Sequence, residues 1–227
     1  ADSLYASFTH KLTQRWEVED EGEVADLLNI EISRQSASVT LRQTAYIDKL
    51  TKEWFPDGPP AHVQLNSVPH PENIRELVIH ATGEGAAPAD PTLVNKYRKL
   101  VGALLYAATS TRPDIAYATS MLCRAMSKPT DELLAAALRV LAYLSRHRHI
   151  GLRYTPCTRP LEGFADADWA VRHSQSGFVF QLGRAAVSWG SKKQVSVALS
   201  TCEAEIMAAS EAAKEAIHLR GLYNELS

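Results

Sequence analysis

Apolar and polar positions in the first part of the chain predict a helix, a hairpin and a second helix. Apolar side chains recur every fourth residue over 4–18, which is the spacing of one helix face. From residue 28 to residue 41 apolar and polar positions alternate around a polar turn at 33–38, and this alternation predicts two antiparallel strands. An amphipathic stretch over 44–54 predicts the second helix, which the prolines and glycine at 56–60 end.

Residues 56–92 are rich in proline, glycine and alanine and show no periodicity. This composition predicts an irregular linker. A domain boundary or flexible segment is expected here, because unstructured loops of this length are uncommon inside a compact domain. Three helices are predicted next: over 94–109, from Pro113 to Met126, and after Thr130, whose hydroxyl is suited to cap a helix. Short connections between amphipathic helices favour a small bundle.

The C-terminal part changes to the period of strands. Four strands are predicted, over 161–169, 177–182, 185–189 and, as a short fourth, 195–199. A long helix is predicted over 201–226, and Ser200 and Glu203 have the spacing of a capping box at its start. Strands packed against a following helix favour an α+β fold for the chain.

Composition limits the class of protein. The chain is 45% hydrophobic and 22% charged, as in ordinary globular proteins. No apolar run is long enough for a membrane span, and the N-terminus is not a secretory leader, so an intracellular location, cytoplasmic or nuclear, is expected. The three cysteines form no CxxC motif, which disfavours a disulfide framework or a zinc site. The missing initiator Met indicates a processed or trimmed product.

Charge is unevenly distributed along the chain. Residues 93–160 hold 11 Lys and Arg against 3 Asp and Glu, whereas residues 1–92 hold 7 against 15. The basic segment either meets nucleic acid or docks on the acidic segment of the same chain, and charge alone favours neither. The candidate nucleic-acid contacts are Lys96, Arg98, Lys99, Arg139, Arg146, Arg148, Arg153, Lys192 and Lys193. His147 and His149 lie among these cations and suit phosphate contacts or a solvated turn better than metal.

Three acidic residues in the C-terminal part, Asp166, Asp168 and Glu205, are candidates for chemistry. Asp166 and Asp168 lie two apart on a predicted strand, so both side chains share one face, either as ligands of a divalent metal or as solvated acids. Glu205 begins a stripe of apolar helix positions, which predicts that it lies on the packed face, with Glu203 turned away. The alternative is a partly exposed Glu205 that the helix dipole favours.

Several motifs in a fixed order resemble the polymerase-to-ribonuclease-H region of copia-type (Ty1/copia) retrotransposon Pol polyproteins. The resemblance covers nearly the whole chain except 56–92. The motifs are YRKLVGALLY at 97–106, TRPDIA at 111–116, DADWA at 166–170, SGFVF at 176–180, SWGSKKQ at 188–194 and ALSTCEAE at 198–205, with LNIEI at 28–32 and Tyr46-Ile47 upstream.

The resemblance implies a division into four parts. Residues 1–55 correspond to the end of the reverse transcriptase palm with a primer-grip-like hairpin, and residues 56–92 to an irregular linker. Residues 93–155 correspond to the helical thumb or connection, and residues 156–227 to the front of a ribonuclease H-like domain with a mixed sheet. The parent protein would carry out RNA-directed DNA synthesis and hydrolyse RNA in RNA–DNA hybrids.

The resemblance also implies roles for particular residues. Asp166 and Glu205 match the first two metal-binding catalytic carboxylates, with Asp168 possible, and Mg²⁺ or Mn²⁺ would be the cofactor of the complete parent enzyme. The polymerase aspartates and the later ribonuclease H acids are not in this sequence, and the loop between Trp169 and Ser176 is shorter than usual. The chain alone is therefore expected to be inactive, and no cofactor is firmly expected in it.

The expected partners are an RNA–DNA hybrid or other nucleic acid, and the rest of the polyprotein. The alternative function is a repurposed, non-catalytic structural or nucleic-acid-binding subunit of a larger assembly.

Overall fold

The computed structural model describes residues 2–16, 22–60, 68–85, 88–156, 161–170 and 174–226. Helices and strands are both present, and the strands form two antiparallel sheets. The helices are α1 (Asp2–Arg15), α2 (Thr44–Trp54), α3 (Ile74–Thr82), α4 (Pro91–Ser110), α5 (Ala116–Cys123), α6 (Asp131–Arg146) and α7 (Thr201–Leu226). The strands are β1 (Asp26–Leu27), β2 (Ile30–Gln35), β3 (Ser38–Arg42), β4 (Leu152–Tyr154), β5 (Glu162–Asp168), β6 (Gln175–Leu182) and β7 (Ala185–Lys193).

The first sheet has the order β1-β2-β3-β4. β1 and β2 are joined by Leu28 and Asn29, which both have positive φ angles of 54° and 61°. Two consecutive residues with positive φ angles form the tight hairpin turn that matches the twist of the strands. A leucine with a positive φ angle is unusual. The Tyr106 hydroxyl of α4 donates to the Leu28 carbonyl and fastens the turn to the helices. β4, which the sequence did not predict, returns from α6 and pairs with β3.

The hydrophobic core lies among α2 to α6. Ile47 of α2, Leu104 of α4 and Leu141 of α6 are fully buried there. The Tyr97 hydroxyl is buried in the same core and donates to the Leu122 carbonyl at 2.8 Å. α6 begins as predicted, since the Thr130 hydroxyl accepts a hydrogen bond from the Leu133 amide at 3.3 Å.

The helix predicted over 4–18 is present as α1, which ends at Arg15. Residues 17–18 of the prediction lie outside the described part of the chain. Its predicted apolar face is not packed, because Phe8 and Trp16 are both exposed.

The prediction that 56–92 is an irregular linker is wrong for the segment that forms α3. Ile74, Val78 and Ala81 follow helical spacing and are 1%, 1% and 3% exposed within the core. The stripe is short and follows Pro69 and Pro71, so loop composition hid it in the sequence. Residues 61–67 and 86–87, also within the predicted linker, lie outside the described residues.

Truncating the buried face of α3 is expected to destabilise the protein. Ile74→Ala should lower the free energy of unfolding by about 2–4 kcal/mol, because it removes buried methyl groups and leaves a cavity. Ile79 lies on the same helix but is 52% exposed, so Ile79→Ala should change the value by less than about 0.5 kcal/mol. Urea denaturation of both variants measures the difference, and equal losses would show that α3 does not belong to the core.

The second sheet has the order β5-β6-β7, and α7 packs on one of its faces. The buried positions of α7 are Ala204, Ala208 and Ala212. The predicted capping box is confirmed: the Glu203 carboxylate accepts from the Leu199 amide at 2.7 Å, and the Glu203 amide donates to the Ser200 hydroxyl at 3.1 Å.

The predicted fourth strand over 195–199 is wrong. This segment has no strand pairing, and Val195 and Leu199 are 96% and 86% exposed. Instead, the buried Gln194 amide donates to the Ser176 hydroxyl and the Ala204 carbonyl and connects β7 directly to α7. A run of alternating apolar residues therefore predicts a strand only where a neighbouring strand can pair with it.

The opposite face of the second sheet docks on the helices. Trp189 of β7 donates its indole N–H to the Ala108 carbonyl of α4 at 2.7 Å. Gln175 of β6 donates to the Ser120 hydroxyl of α5 at 2.9 Å. Tyr154 of β4 donates to the Ala186 carbonyl of β7 at 2.7 Å and joins the two sheets. Among the described helices, none has the length and apolar character that a membrane crossing requires.

Candidate functional site

Asp166 and Asp168 lie on β5, on the sheet face that docks against the helices. Antiparallel pairing places Asp166 opposite Gly177 and Asp168 opposite Gln175. Since paired residues share a face and Gln175 reaches α5, both aspartates lie on the helix-facing side. The prediction that the two carboxylates share one face is confirmed.

A cavity of about 510 Å³ lies between this face and the helices. Its helical wall includes Pro113, Asp114 and Tyr117, and most of its surface is apolar. The sheet contributes two aromatic rings, those of Phe164 and Trp189, and the carboxylates of Asp166 and Asp168. The site therefore combines apolar walls and aromatic rings with three carboxylates.

Two of the three carboxylates are neutralised by arginines. Asp114 is bonded by Arg112 at 2.6 Å, and Asp168 is bonded by Arg75 of α3 at 2.9 Å. Asp166 is exposed and has no ion pair within the described residues. Asp166 is therefore the carboxylate of this cavity that is available to a ligand or substrate.

Arg112 organises the helical wall of the cavity. Its side chain is fully buried and bonds both oxygens of Asp114 and the His147 carbonyl, at 2.9, 2.6 and 3.0 Å. The Tyr143 hydroxyl donates to the same carboxylate at 3.0 Å, and the Arg112 guanidinium lies over the Tyr143 ring. Burial and the Asp114 charge raise the pKa of Tyr143, so its hydroxyl keeps its proton and acts as a donor.

The prediction that Glu205 lies on the packed face of α7 is wrong. Glu205 is exposed, and the buried stripe begins one residue earlier, at Ala204. The capping box fixes which positions of α7 face the sheet, because Glu203 turns back toward the Leu199 amide. Glu205 does not line the cavity that contains Asp166. The alternative of an exposed glutamate near the helix N-terminus describes Glu205 correctly.

The residues present do not by themselves fit a metal centre. Among the described residues, no group of three or more His, Cys, Asp or Glu side chains is placed to hold an ion. Asp168 is committed to Arg75, and Mg²⁺ requires more oxygen ligands than Asp166 and Glu205 provide. The role of these acids as metal ligands stays a prediction.

Comparison with known proteins places the chain among transposon sequences. It is 34% identical over 95% of its length to the "Retrovirus-related Pol polyprotein from transposon RE1" of Arabidopsis thaliana. It is 31% identical to an uncharacterized mitochondrial protein of Arabidopsis thaliana, over 95% of this chain and 86% of that protein. The chain is thus similar over nearly its whole length to part of a retrovirus-related Pol polyprotein.

Other comparisons add context to this assignment. The retrotransposon Pol-related chain spans 14% of the length of the RE1 polyprotein. It is also 45% identical to "Secreted RxLR effector protein 161" of Plasmopara viticola, over 54% of this chain and 90% of that protein. No profile of a known protein family and no solved structure matches the chain.

The candidate nucleic-acid contacts of the Pol-related chain are mostly exposed, and two of them have acidic partners in α2. Lys99 pairs with Glu53, and Arg148 pairs with Asp48 at 3.5 Å. Arg98 donates to the Met126 carbonyl, and Arg139 is half-buried. The exposed contacts that form no ion pair with another described residue are Lys96, Arg98, Arg146, Arg153, Lys192 and Lys193. Both interpretations of the basic segment thus have a structural basis, and docking within the chain accounts for Lys99 and Arg148.

Sequence reasoning missed Arg75 and gave Arg112 no role of its own. Arg75 lay inside the predicted linker, and only the short helical stripe of α3 could have placed it on a packed element. Arg112 belongs to the TRPD motif at 111–114, in which its side chain pairs with Asp114 just after α4 ends.

Proposed function

We propose that the chain is part of a copia-type Pol polyprotein that synthesises DNA on RNA and hydrolyses RNA in RNA–DNA hybrids. The similarity to a named Pol polyprotein over 95% of the chain carries this proposal. In the proposal, residues 1–55 end the palm, 93–155 form the thumb or connection, and 156–227 begin the ribonuclease H-like domain. The three antiparallel strands followed by a long helix support the last assignment.

A second candidate is a repurposed, non-catalytic structural or nucleic-acid-binding subunit of a larger assembly. It is favoured by the two relatives whose own lengths this chain nearly spans, at 86% and 90%. It is also favoured by the acids described above, which do not complete a metal centre within the described residues. Binding to nucleic acid is tested first, because the polymerase and nuclease proposal requires it and a purely structural subunit does not.

The chain is expected to bind RNA–DNA hybrid in a salt-dependent manner through residues 93–153. If about four phosphates are neutralised, the logarithm of affinity should fall with the logarithm of salt concentration with a slope near −3 to −4. Asp48→Asn frees Arg148 and should steepen the slope by about one. Fluorescence anisotropy with a labelled hybrid measures both slopes.

Asp57→Asn is the matched control, because Asp57 is exposed and also lies in the acidic part of the chain. It removes the same charge without releasing Arg148, so its slope should equal that of the unaltered chain. An affinity that does not change between low and physiological salt would contradict the electrostatic account. It would favour docking of the basic helices on the acidic part of the chain.

A further inference from the structure

Two half-buried arginines lie beside the Asp168 end of the cavity. Arg75 of α3 bonds the Asp168 carboxylate at 2.9 Å. Arg124, which follows α5, has its Nη1 atom 3.5 Å from Gln175 Oε1. Asp168 and Gln175 both line the cavity, so each guanidinium is one side chain away from it.

The Arg75 guanidinium has a donor without an acceptor among the described residues, and the Arg124 guanidinium contacts neutral acceptors. Arg75 Nη2 is buried and has no hydrogen-bond partner within the described residues. Arg124 Nη1 contacts neutral acceptors, Met121 Sδ at 3.2 Å and Gln175 Oε1. Burial and the neighbouring charge of Arg75 lower the pKa of Arg124, as expected for two cations held near one another. A guanidinium has five N–H donors and suits bidentate binding of phosphate.

The adjoining cavity has the size and the rings to take a nucleoside. Its volume of about 510 Å³ lies within the ordinary range of small-molecule sites. Tyr117 lines this end, and the charges of Asp168, Arg75 and Arg124 all act on its hydroxyl. Phe164 lines the sheet side and is 58% exposed, so its ring face is open to stacking by a base.

We propose that Arg75 and Arg124 bind a phosphate group of a single nucleic-acid strand, and that the cavity takes the attached nucleoside. The choice of ligand rests on the proposed nucleic-acid function. The site positions a strand beside Asp166, and α3 contributes to it through Arg75. Asp168 competes with the phosphate for Arg75, because its carboxylate occupies part of the same guanidinium.

The test is the affinity of the 227-residue chain for a labelled single-stranded oligonucleotide, measured by fluorescence anisotropy. Arg75→Gln and Arg124→Gln should each weaken binding about tenfold, the size of a lost hydrogen bond to a charged group. Asp168→Asn should tighten binding, because it frees Arg75. Arg220→Gln is the charge-matched control on the exposed side of α7 and should bind as the unaltered chain does.

A phosphate site predicts that affinity falls in Arg75→Gln and rises in Asp168→Asn, and these opposite changes distinguish it from a structural ion pair. If the pair only fastened the sheet to α3, both substitutions would weaken binding, and that result would overturn the proposal. A nucleoside 5′-monophosphate should compete with the oligonucleotide, and equal competition by the unphosphorylated nucleoside would also overturn it. Variants that bind as the unaltered chain overturn this site alone. A chain that binds no oligonucleotide overturns the proposed nucleic-acid function as well.

Discussion

Arg112→Met is expected to lower the free energy of unfolding by about 3 kcal/mol, near the lower end of the loss seen when one partner of a buried ion pair is removed. Arg112 is fully buried, and its loss leaves the His147 carbonyl without this donor and the Asp114 carboxylate without its counter-charge. The lower end is appropriate because Asp114 remains 29% exposed and can be partly hydrated. For a chain of this length the melting temperature should fall by roughly 6–12 °C.

Lys96→Met is the control for this prediction. Lys96 is an exposed cation of α4, so losing it should change stability by less than about 0.5 kcal/mol. Differential scanning calorimetry of the two variants gives the comparison. A melting temperature for Arg112→Met within a degree or two of the control would show that the Arg112 network does not hold the helical wall together.

Asp166→Asn is expected to reduce hydrolysis of the RNA strand of a hybrid by at least about a hundredfold, because its carboxylate would be a ligand of the metal, whose stabilisation of transition-state charge contributes several kcal/mol. The protein to be tested is this chain joined to the segment that follows the matching region in the RE1 Pol polyprotein, of which the chain spans 14%. The reason is geometric: Asp114 and Asp168 are neutralised by arginines, and Asp166 is the carboxylate of the cavity with no ion pair among the described residues.

Glu203→Gln serves as the control for Asp166→Asn. Glu203 caps α7 through the Leu199 amide, so its loss should cost stability and leave most of the activity. Initial rates on a labelled hybrid, corrected for the folded fraction, separate the two effects. If Asp166→Asn leaves the hydrolysis rate of the extended chain unchanged, Asp166 takes no part in the chemistry. The function as a non-catalytic subunit would then be the better supported of the two.

Local signals with a fixed period or spacing predicted much of the fold. The hairpin of β2 and β3, the Thr130 cap and the Ser200–Glu203 box are all present. Each depends on residues close in sequence, where side-chain periodicity and capping chemistry are set locally. β4 could not be predicted in this way, because three residues become a strand only through pairing with β3 far upstream.

The candidate site was predicted only in part, for the same physical reason. The shared face of Asp166 and Asp168 follows from the two-residue period of a strand. The prediction for Glu205 was wrong because the buried stripe of α7 begins at Ala204 and not at Glu205. Packing against the sheet decides between these two adjacent stripes. Arg75 and Arg124 contact Asp168 and Gln175, which line the cavity, through tertiary contacts of α3 and of the residues after α5, which no local pattern contains.

The most direct test of the proposed function is a cleavage assay with the extended chain and an RNA strand labelled at its 5′ end. The account predicts that the RNA is cut when it is annealed to DNA, and that the same RNA alone and the DNA strand stay intact. It also predicts that Asp166→Asn removes the cleavage products. A folded extended chain that binds the hybrid and cuts neither strand would contradict the account.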